Sequence, residues 1–500
     1  MQIDPTIFKA YDVRGLVPDQ ITGETAYQIG YFLVQTLKSK TIAVGRDMRV
    51  SSEEMFERLS AGIVEAGSDV VDLGLVSTDG LYFAVGNFGY DAGVMITASH
   101  NPKEYNGFKV CKANAEPLSG QDGLGAVLKA IEQADDMPKA PTRGVVLRKE
   151  ISSDYADHCL TFIDVDQIKP FKIVIDAGNG VAGATLPPVL EKLPIEVTPL
   201  FFEPDGTFPN HPASPIELEN LQDLIAKIKE TDADFGVAFD GDADRMFLVD
   251  KDGRQIGGDM VTAMVSKSIL AKSAGETVLY NLICSRAVPE LVTKMNGTPI
   301  RTRVGHALIK PLMKEHNAVF GGEHSGHFYF RDNWFADSGL IACLVCLELI
   351  SKEGRPLHQI VDEIDPYYRS GEINNRVESV PEVLERVADA FKDGQQDRED
   401  GLTVQFEDFW FNLRPSNTEP LLRLNIEANT PQILESRKEQ LVGLIKGQPW
   451  AARGPGYSSS TMIPIFSVSS WILWVVSAIP SKVLPEVSKP SKNLTSTTMM

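Results

Sequence analysis

Up to about residue 360 the chain alternates short apolar, often β-branched runs with longer stretches in which apolar residues recur at helical spacing. TIAVGRD from Thr41, FKIVIDAGNG from Phe171 and ETVLYNLICSR from Glu276 are each a strand-length run entering a turn that carries Gly, Asn or a basic residue. Such alternation predicts α/β layers, and the three openings predict three related α/β domains. The Pro-rich MPKAPTRG near residue 140 and KDGRQ at Lys251 mark candidate boundaries, giving spans 1–150, 151–250 and 251–364. A smaller unit, 365–447, contains LTVQFEDFWFNLRPSNTEPLLRLNIEA, two strand-like runs around a polar loop, and then a helix from about Pro431 to Lys446. That order predicts an α+β layer.

The last segment, 448–500, breaks the pattern. No charge occurs from Gly454 to Ser481, and Ile463 to Ile479 is apolar. It is interrupted by Pro464 and several serines, and is at the short limit for about 30 Å of hydrocarbon, so a poorly ordered appendage is expected in place of a membrane anchor. The Ser, Pro and Lys bias of the final residues agrees with disorder. A net charge of −20 argues against nucleic-acid binding and acidic lipid, so an anionic ligand must be drawn in by local Arg and Lys. The five cysteines are thinly spread and odd in number, and Met1 leads straight into a polar start; reduced thiols in a cytoplasmic protein are expected.

Chemistry concentrates in four polar loops. VMITASHNP places Ser99 where a buried strand stops at Asn101-Pro102, a position for a nucleophile or phosphate acceptor carried on a rigid stem. Lys109, in the turn and strand just after it, can shuttle a proton, steady a phosphoryl group or simply be solvated. FDGDADR sets Asp240, Asp242 and Asp244 at alternate positions, where they repel one another unless a hard cation gathers them; oxygen ligands of this kind suit Mg²⁺. A calcium EF-hand fails on its own spacing, because the sixth position is Arg245 and the twelfth Lys251. GEHSGH displays Glu323, His324, Ser325 and His327, groups suited to sugar hydroxyls, and His306 is a candidate for lining the same cleft or for packing. RPSNTEP and the strand-like run after it offer Arg414, Ser416, Asn417, Thr418 and Arg423, a phosphate cradle by composition. Arg14, in FKAYDVRG, could offer planar donors to phosphoryl oxygens.

Two patterns compete with this reading. Gly178 to Gly183 matches G-x-G-x-x-G after a strand, with Glu203 where a ribose-binding acid could sit, so a dinucleotide-binding oxidoreductase is a rival. Cys343 and Cys346 form C-x-x-C, but inside the apolar run LIACLVCLELI, which reads as a core helix.

TASHNP, DGDADR, GEHSGH and RPSNTEP, in this order, resemble the four signature loops of the α-D-phosphohexomutases, and FKAYDVRG resembles the bacterial phosphomannomutase/phosphoglucomutase branch. The resemblance covers Met1 to about Gly447. It implies four domains around one central cleft, each giving one loop. Ser99 would be a phosphoserine, with one of its oxygens joining Asp240, Asp242 and Asp244 on Mg²⁺. Glu323 and Ser325 would bind sugar hydroxyls; Arg414, Ser416, Asn417, Thr418 and Arg423 would hold the non-reacting phosphate. Arg14, His100, Lys109, Arg245, His306 and His327 match positions used around the transferring group and the sugar. The activity implied is phosphomannomutase, possible also on glucose phosphates, through a hexose 1,6-bisphosphate, with phosphoglucosamine mutase the rival within the family. A phosphosugar substrate and a monomer or weak homodimer are expected. Ile283 departs from a basic residue found in some members, which leaves Arg286 or another cation to meet substrate, and His324 occupies a place that varies with substrate.

Overall fold

A computed structural model describes residues 3–120, 123–415 and 421–448, except for the side chains of 306 and 307. The described residues fall in one compact unit. The 448–500 expectations, the tail anchor included, lie outside them apart from residue 448. Among the described residues no helix is long and apolar enough to cross a membrane.

The first sheet contains β1 (Val13–Leu16), β2 (Thr41–Arg46), β3 (Asp69–Leu75), β4 (Ala92–Ile96), β5 (Tyr105–Lys112) and β6 (Val146–Arg148), in the order β1-β5-β4-β2-β3-β6. The second contains β7 (Lys172–Asp176), β8 (Glu196–Leu200), β9 (Phe235–Phe239), β10 (Met246–Asp250) and β11 (Gln255–Ile256), ordered β11-β10-β9-β7-β8, so it continues past residue 250. The third contains β12 (Thr277–Asn281), β13 (Thr298–Thr302), β14 (Phe320–Gly322), β15 (Phe328–Phe330) and β16 (Ala336–Asp337), ordered β13-β12-β14-β15-β16.

These orders are one plan used three times. An opening strand, β2, β7 or β12, lies between two parallel neighbours, and the inner neighbour then turns back into an antiparallel strand. The turn-back is β4 to β5, β9 to β10 and β14 to β15. Strands β4, β9, β10, β14 and β15 are buried throughout, as apolar segments covered on both faces must be. The three openings expected from the apolar runs thus occupy equivalent places.

Helices cover the sheets, and their ends are set by local chemistry. Ser77 caps Thr78–Phe88 by accepting from the Gly80 N–H, and Ser338 caps Gly339–Glu353 by accepting from Ile341; both helices stop at a left-handed Gly. Gly339–Glu353 carries Cys343 and Cys346 in its buried interior, so this C-x-x-C is core. Helices Gly23–Leu37 and Ser52–Glu65 cross at Gly30 and Gly62, where an added Cβ would lie 2.3 Å from the Leu59 carbonyl oxygen and 2.1 Å from that of Tyr27.

The fourth layer is an antiparallel sheet of β17 (Tyr368–Arg369), β18 (Ile373–Arg376), β19 (Gln395–Asp397), β20 (Leu402–Gln405), β21 (Phe409–Pro415) and β22 (Leu421–Ala428), packed with helices Val380–Ala390 and Pro431–Ile445. It is α+β, as expected. Two details differ. The first of the two expected runs is split by Glu407-Asp408 into β20 and β21, because that pair makes the hairpin turn. The apolar run Ala318-Val-Phe320 before GEHSGH reads as a strand ending at Phe320, whereas the strand observed begins at Phe320 and runs through the glycines to Gly322.

Candidate active site

The three equivalent turn-backs converge. The β4–β5 loop carries Ser99, the β9–β10 loop carries Asp240 to Arg245, and the β14–β15 loop carries Glu323 to His327. Ser99 is fully buried with φ 51°, a left-handed backbone uncommon for a residue with a Cβ. Its N–H donates to Thr97 Oγ1 at 2.8 Å, and its Oγ donates to Asp240 Oδ2 at 2.8 Å, across from the second sheet. His100 Nδ1 lies 3.2 Å from the same Oγ. The Arg245 guanidinium, burial and Arg14 hold the His100 pKa well below its ordinary value, so the ring is neutral.

Asp240, Asp242 and Asp244 are each buried, and one oxygen from each lies within 4.8 Å of the others. Burial and the neighbouring Asp242 push Asp240 up to about 6. Lys109, on β5, reaches across to Asp242 Oδ2 at 2.7 Å and Asp244 Oδ2 at 2.5 Å. Burial acts to lower its pKa, but the carboxylates of Asp242, Asp244 and Asp240 outweigh that and raise it. Lys109 is therefore a fixed ammonium, and of the roles open to it the proton shuttle is the one this setting disfavours. Asp242 Oδ1 and Asp244 Oδ1 are buried without a hydrogen-bond donor. A hard cation fits that donor set: anionic oxygens, close together, with lone pairs that no protein donor uses.

Arg245 and the third loop join through a relay. Arg245 Nε donates to His327 Nε2 at 3.2 Å, which leaves the proton on Nδ1 to donate to Ser325 Oγ at 3.1 Å. Glu323 accepts from the Gly305 N–H at 2.9 Å and the Tyr329 hydroxyl at 2.7 Å; burial pushes its carboxyl up and these bonds offset only part of the rise. His324 is partly exposed, its Nδ1 4.0 Å from Asp259 Oδ2. Asp337 closes the third wall, paired with the buried Lys310 at 2.7 Å. A cavity of about 760 Å³ opens among Tyr11, Arg14, His100, Lys109, Arg245 and His327. Arg14 Nη1 donates to Asn101 Oδ1 at 2.8 Å and pairs with Asp12, which places it at the rim of the Ser99 loop.

In the fourth layer Arg414 and Arg423 face each other across β21 and β22. Glu372 lies between them, 3.4 Å from each guanidinium, a carboxylate where the cradle would take an anion. Ser416, Asn417 and Thr418 lie outside the described residues, as does the His306 side chain at the start of helix His306–Glu315. Arg286 does not turn to the cavity: it donates to the carbonyls of Phe406 and Glu407 and so ties the third layer to the fourth. The G-x-G-x-x-G run is a packing device. A Cβ at Gly180 would lie 2.8 Å from the Gly241 carbonyl oxygen and one at Gly183 1.9 Å from that of Phe202, while the Glu203 carbonyl accepts from Asn179.

Two residues outside the four loops also act here. Thr78 donates to Asp242 Oδ2 at 2.6 Å, and Arg49 is buried under the Ser99 loop. A basic residue in the turn after β2 was the available signal for Arg49; Thr78 left none.

Four consecutive segments of the chain match the descriptions "Phosphoglucomutase/phosphomannomutase, alpha/beta/alpha domain I" (5–136), domain II (153–253), domain III (257–367) and the C-terminal domain (372–444). A protein of Xanthomonas campestris pv. campestris strain B100 named "Phosphohexose mutases" is 39% identical over 444 residues, 88% of this chain and 99% of that one. "Phosphomannomutase" of Salmonella montevideo is 38% identical over 450 residues, 88% of this chain and 99% of the relative. Among solved structures, a phosphoglucomutase/phosphomannomutase family protein of Burkholderia thailandensis superposes with a TM-score of 0.81 at 32% identity, covering 89% of this chain and 98% of the other.

Proposed function

We propose that this chain, which belongs to the phosphoglucomutase/phosphomannomutase family and is an isomerase of the phosphohexomutase type, interconverts mannose 6-phosphate and mannose 1-phosphate, and accepts glucose phosphates as well. The observation that carries the reading is the Ser99 hydroxyl, held 2.8 Å from Asp240 and 3.2 Å from His100, a residue that lines the cavity together with Arg14, Lys109 and Arg245.

In this reading Ser99 carries the phosphoryl group. A sugar hydroxyl attacks phosphorus, the bond to Ser99 Oγ breaks and a hexose 1,6-bisphosphate forms. That intermediate turns over in the cleft, and its other phosphate returns to Ser99. The proton at Ser99 Oγ has His100 Nδ1 within reach. Lys109, Arg14 and Arg245 surround the transferring group with fixed positive charge, which suits a transition state whose charge spreads over phosphoryl oxygens. Asp240, Asp242 and Asp244, with a phosphoserine oxygen, would hold Mg²⁺, which when bound neutralises phosphoryl oxygens. Glu323, Ser325 and His327 meet the sugar hydroxyls, and Arg414 and Arg423 hold the non-reacting phosphate, exchanging Glu372 for it; His306 is assigned to the sugar, and Ser416, Asn417 and Thr418 to that phosphate, on the family resemblance alone. The setting we assign is the cytoplasm, which the five free, buried cysteines support, with the chain a monomer or weak homodimer.

The test is the initial rate of phosphoryl migration on mannose 1-phosphate and glucose 1-phosphate, with Mg²⁺ and a trace of hexose 1,6-bisphosphate. Turnover of both, or a mannose preference, is expected. Turnover confined to glucosamine 1-phosphate would replace the substrate assignment, and no turnover on any of the three would overturn the role of Ser99.

A further inference from the structure

Arg49 lies just past β2 in the sequence Gly45-Arg-Asp-Met-Arg49, and its side chain is completely buried. A guanidinium has five N–H donors in a rigid planar fork. Here all five are used. Nη2 donates to the carbonyl oxygens of Ser99 and Asn101, each at 2.7 Å; Nη1 donates to those of Pro102 at 2.8 Å and Tyr105 at 2.9 Å; Nε donates to Asp47 Oδ2 at 3.1 Å. Asp47 is itself fixed by the Ser52 hydroxyl at 2.7 Å and the Arg49 N–H at 3.1 Å.

Four of the five contacts fall on backbone carbonyls, three in the one loop that carries the nucleophile and the fourth on Tyr105, where β5 begins. Within the loop only single turn bonds act, Ser99 N–H to Thr97 Oγ1, Asn101 N–H to the Ala98 carbonyl and Tyr105 N–H to that of Pro102, and Ser99 sits in left-handed backbone, so the guanidinium adds the contacts that gather the loop around one point. The Ser99 carbonyl is caught from two sides: Arg49 donates to it, and Gly241 of the Asp loop packs so closely that a Cβ there would be 2.5 Å from the same oxygen. The guanidinium also lies 5.3 Å from the Phe208 ring of the second layer. Its contacts therefore span the junction between the first and second layers.

We infer that Arg49 is a positioning residue for phosphoryl transfer: it folds the Ser99 loop onto one planar cation and so sets the aim of Ser99 Oγ toward the Asp240 site. It touches neither substrate nor Oγ, and acts through the backbone. This rests on the reading of Ser99 as the phosphoryl carrier. A lysine keeps the charge but presents three donors from one point and cannot span four carbonyls.

The experiment compares the full-length chain with Arg49→Lys and uses hexose 1,6-bisphosphate labelled in its phosphate, with mass spectrometry to locate the label. In the unmodified chain label must arrive on Ser99; its absence there overturns the carrier reading itself, before any variant is considered. In folded R49K, Ser99 labels more slowly and kcat falls about 10- to 100-fold, the scale set by misplacing a reacting group by about 1 Å. KM for the sugar phosphate and the affinity of the unphosphorylated chain for Mn²⁺ stay as they were, because without a phosphoryl group on Ser99 other loops make those contacts. A kcat within about threefold of the unmodified chain, well short of that expected loss, would overturn the inference, as would losses in kcat, KM and Mn²⁺ affinity that all track the folded fraction. Should R49K fail to fold, Asp47→Asn loosens one of the five contacts and leaves the arginine in place. It is then expected to lower kcat with KM unchanged, and an unaltered kcat in D47N would equally overturn the inference.

Discussion

Thr78 opens the helix Thr78–Phe88 and is fully buried. Its Oγ1 donates to Asp242 Oδ2 at 2.6 Å and its N–H donates to the Asp242 carbonyl at 3.0 Å, so the helix end grips the central carboxylate of the acidic trio by side chain and main chain together. Thr78→Val keeps the shape and the N–H contact and deletes one donor. A hydrogen bond to a charged group is worth about 1.5–3 kcal/mol. Asp242 Oδ2 would keep Lys109 at 2.7 Å, and the carboxylate would be free to turn, so that Oδ1 no longer points as it does now. Expressed as cation affinity, the loss is about 10- to 150-fold at about 1.4 kcal/mol per tenfold. That range overlaps the roughly 10- to 100-fold cost usual for partners that orient a ligand. Burial works against the low pKa of Asp242, and Lys109 and Thr78 supply part of what holds it down, so T78V should also make cation binding more sensitive to acid. The assay is Mn²⁺ titration by calorimetry or electron paramagnetic resonance, on T78V and on Thr78→Ser, which restores the hydroxyl. Weakened binding in T78V with recovery in T78S is expected. An Mn²⁺ affinity within about twofold of the unmodified chain would refute the argument, since that is under about 0.5 kcal/mol.

Two further outcomes are expected away from the acidic trio. Gly62→Ala forces helices Gly23–Leu37 and Ser52–Glu65 apart at a contact where the new Cβ meets a carbonyl oxygen at 2.1 Å; a loss of about 1–3 kcal/mol in chemical unfolding is expected, without change in KM. His211 has Nε2 3.1 Å from Asp176 Oδ2 and Nδ1 2.9 Å from the Pro212 carbonyl. Burial lowers its pKa, but Asp176, with the Pro212 carbonyl and Asp223, outweighs burial and the net shift is upward. The folded value lies above the unfolded one, so the contribution to stability is full below about pH 6.5 and is lost as pH rises through the raised folded value. His211→Asn should therefore cost more stability at pH 6 than at pH 9 by urea unfolding, and an equal cost at both would exclude the charged pair.

The three loops of the α/β layers were legible in the sequence because each is a polar insert between two apolar runs, a contrast that survives without coordinates. Ser99 after VMIT, Asp240 after FGVAF and Glu323 after the Phe320 strand all showed it. The groups that shape these loops did not. Arg49 and Thr78 act on residues 50 and 164 positions away, and nothing local in MRVSS or STDG says that their donors are turned inward. The glycine run at Gly178 failed in the opposite sense, because a nucleotide turn and a close backbone crossing ask for the same small residues; only the nearness of Gly241 and Phe202 separates them. Of the alternatives left for meeting substrate, Arg286 or another cation, the sequence could not choose, since a cation beside a cleft and a cation beside a neighbouring layer are identical in sequence; the structure turns Arg286 to the fourth layer.

The shared plan explains why such different chemistry meets at one point. In each α/β layer the inner parallel neighbour of the opening strand turns straight back into an antiparallel strand, with no helix in that connection. Three layers packed with these turns inward bring a hydroxyl, a set of carboxylates and a histidine relay together without any long loop. The charges then fix one another: Lys109 from the first layer sits among the carboxylates of the second, Arg245 of the second donates to His327 of the third, and Ser338 of the third donates to Asp79 of the first at 2.6 Å. The circle of contacts closes on itself, so a displacement in one layer is felt at the carboxylates of another. The fourth layer stands outside that circle and is tied by Arg286 and by Arg369, which reaches Asp259 at 3.3 Å and Glu427 at 3.1 Å. Hydrogen bonds and ion pairs between layers break more readily than an interlocked core, so under the proposed function it is the fourth layer that is expected to shift most readily as a sugar phosphate enters and leaves.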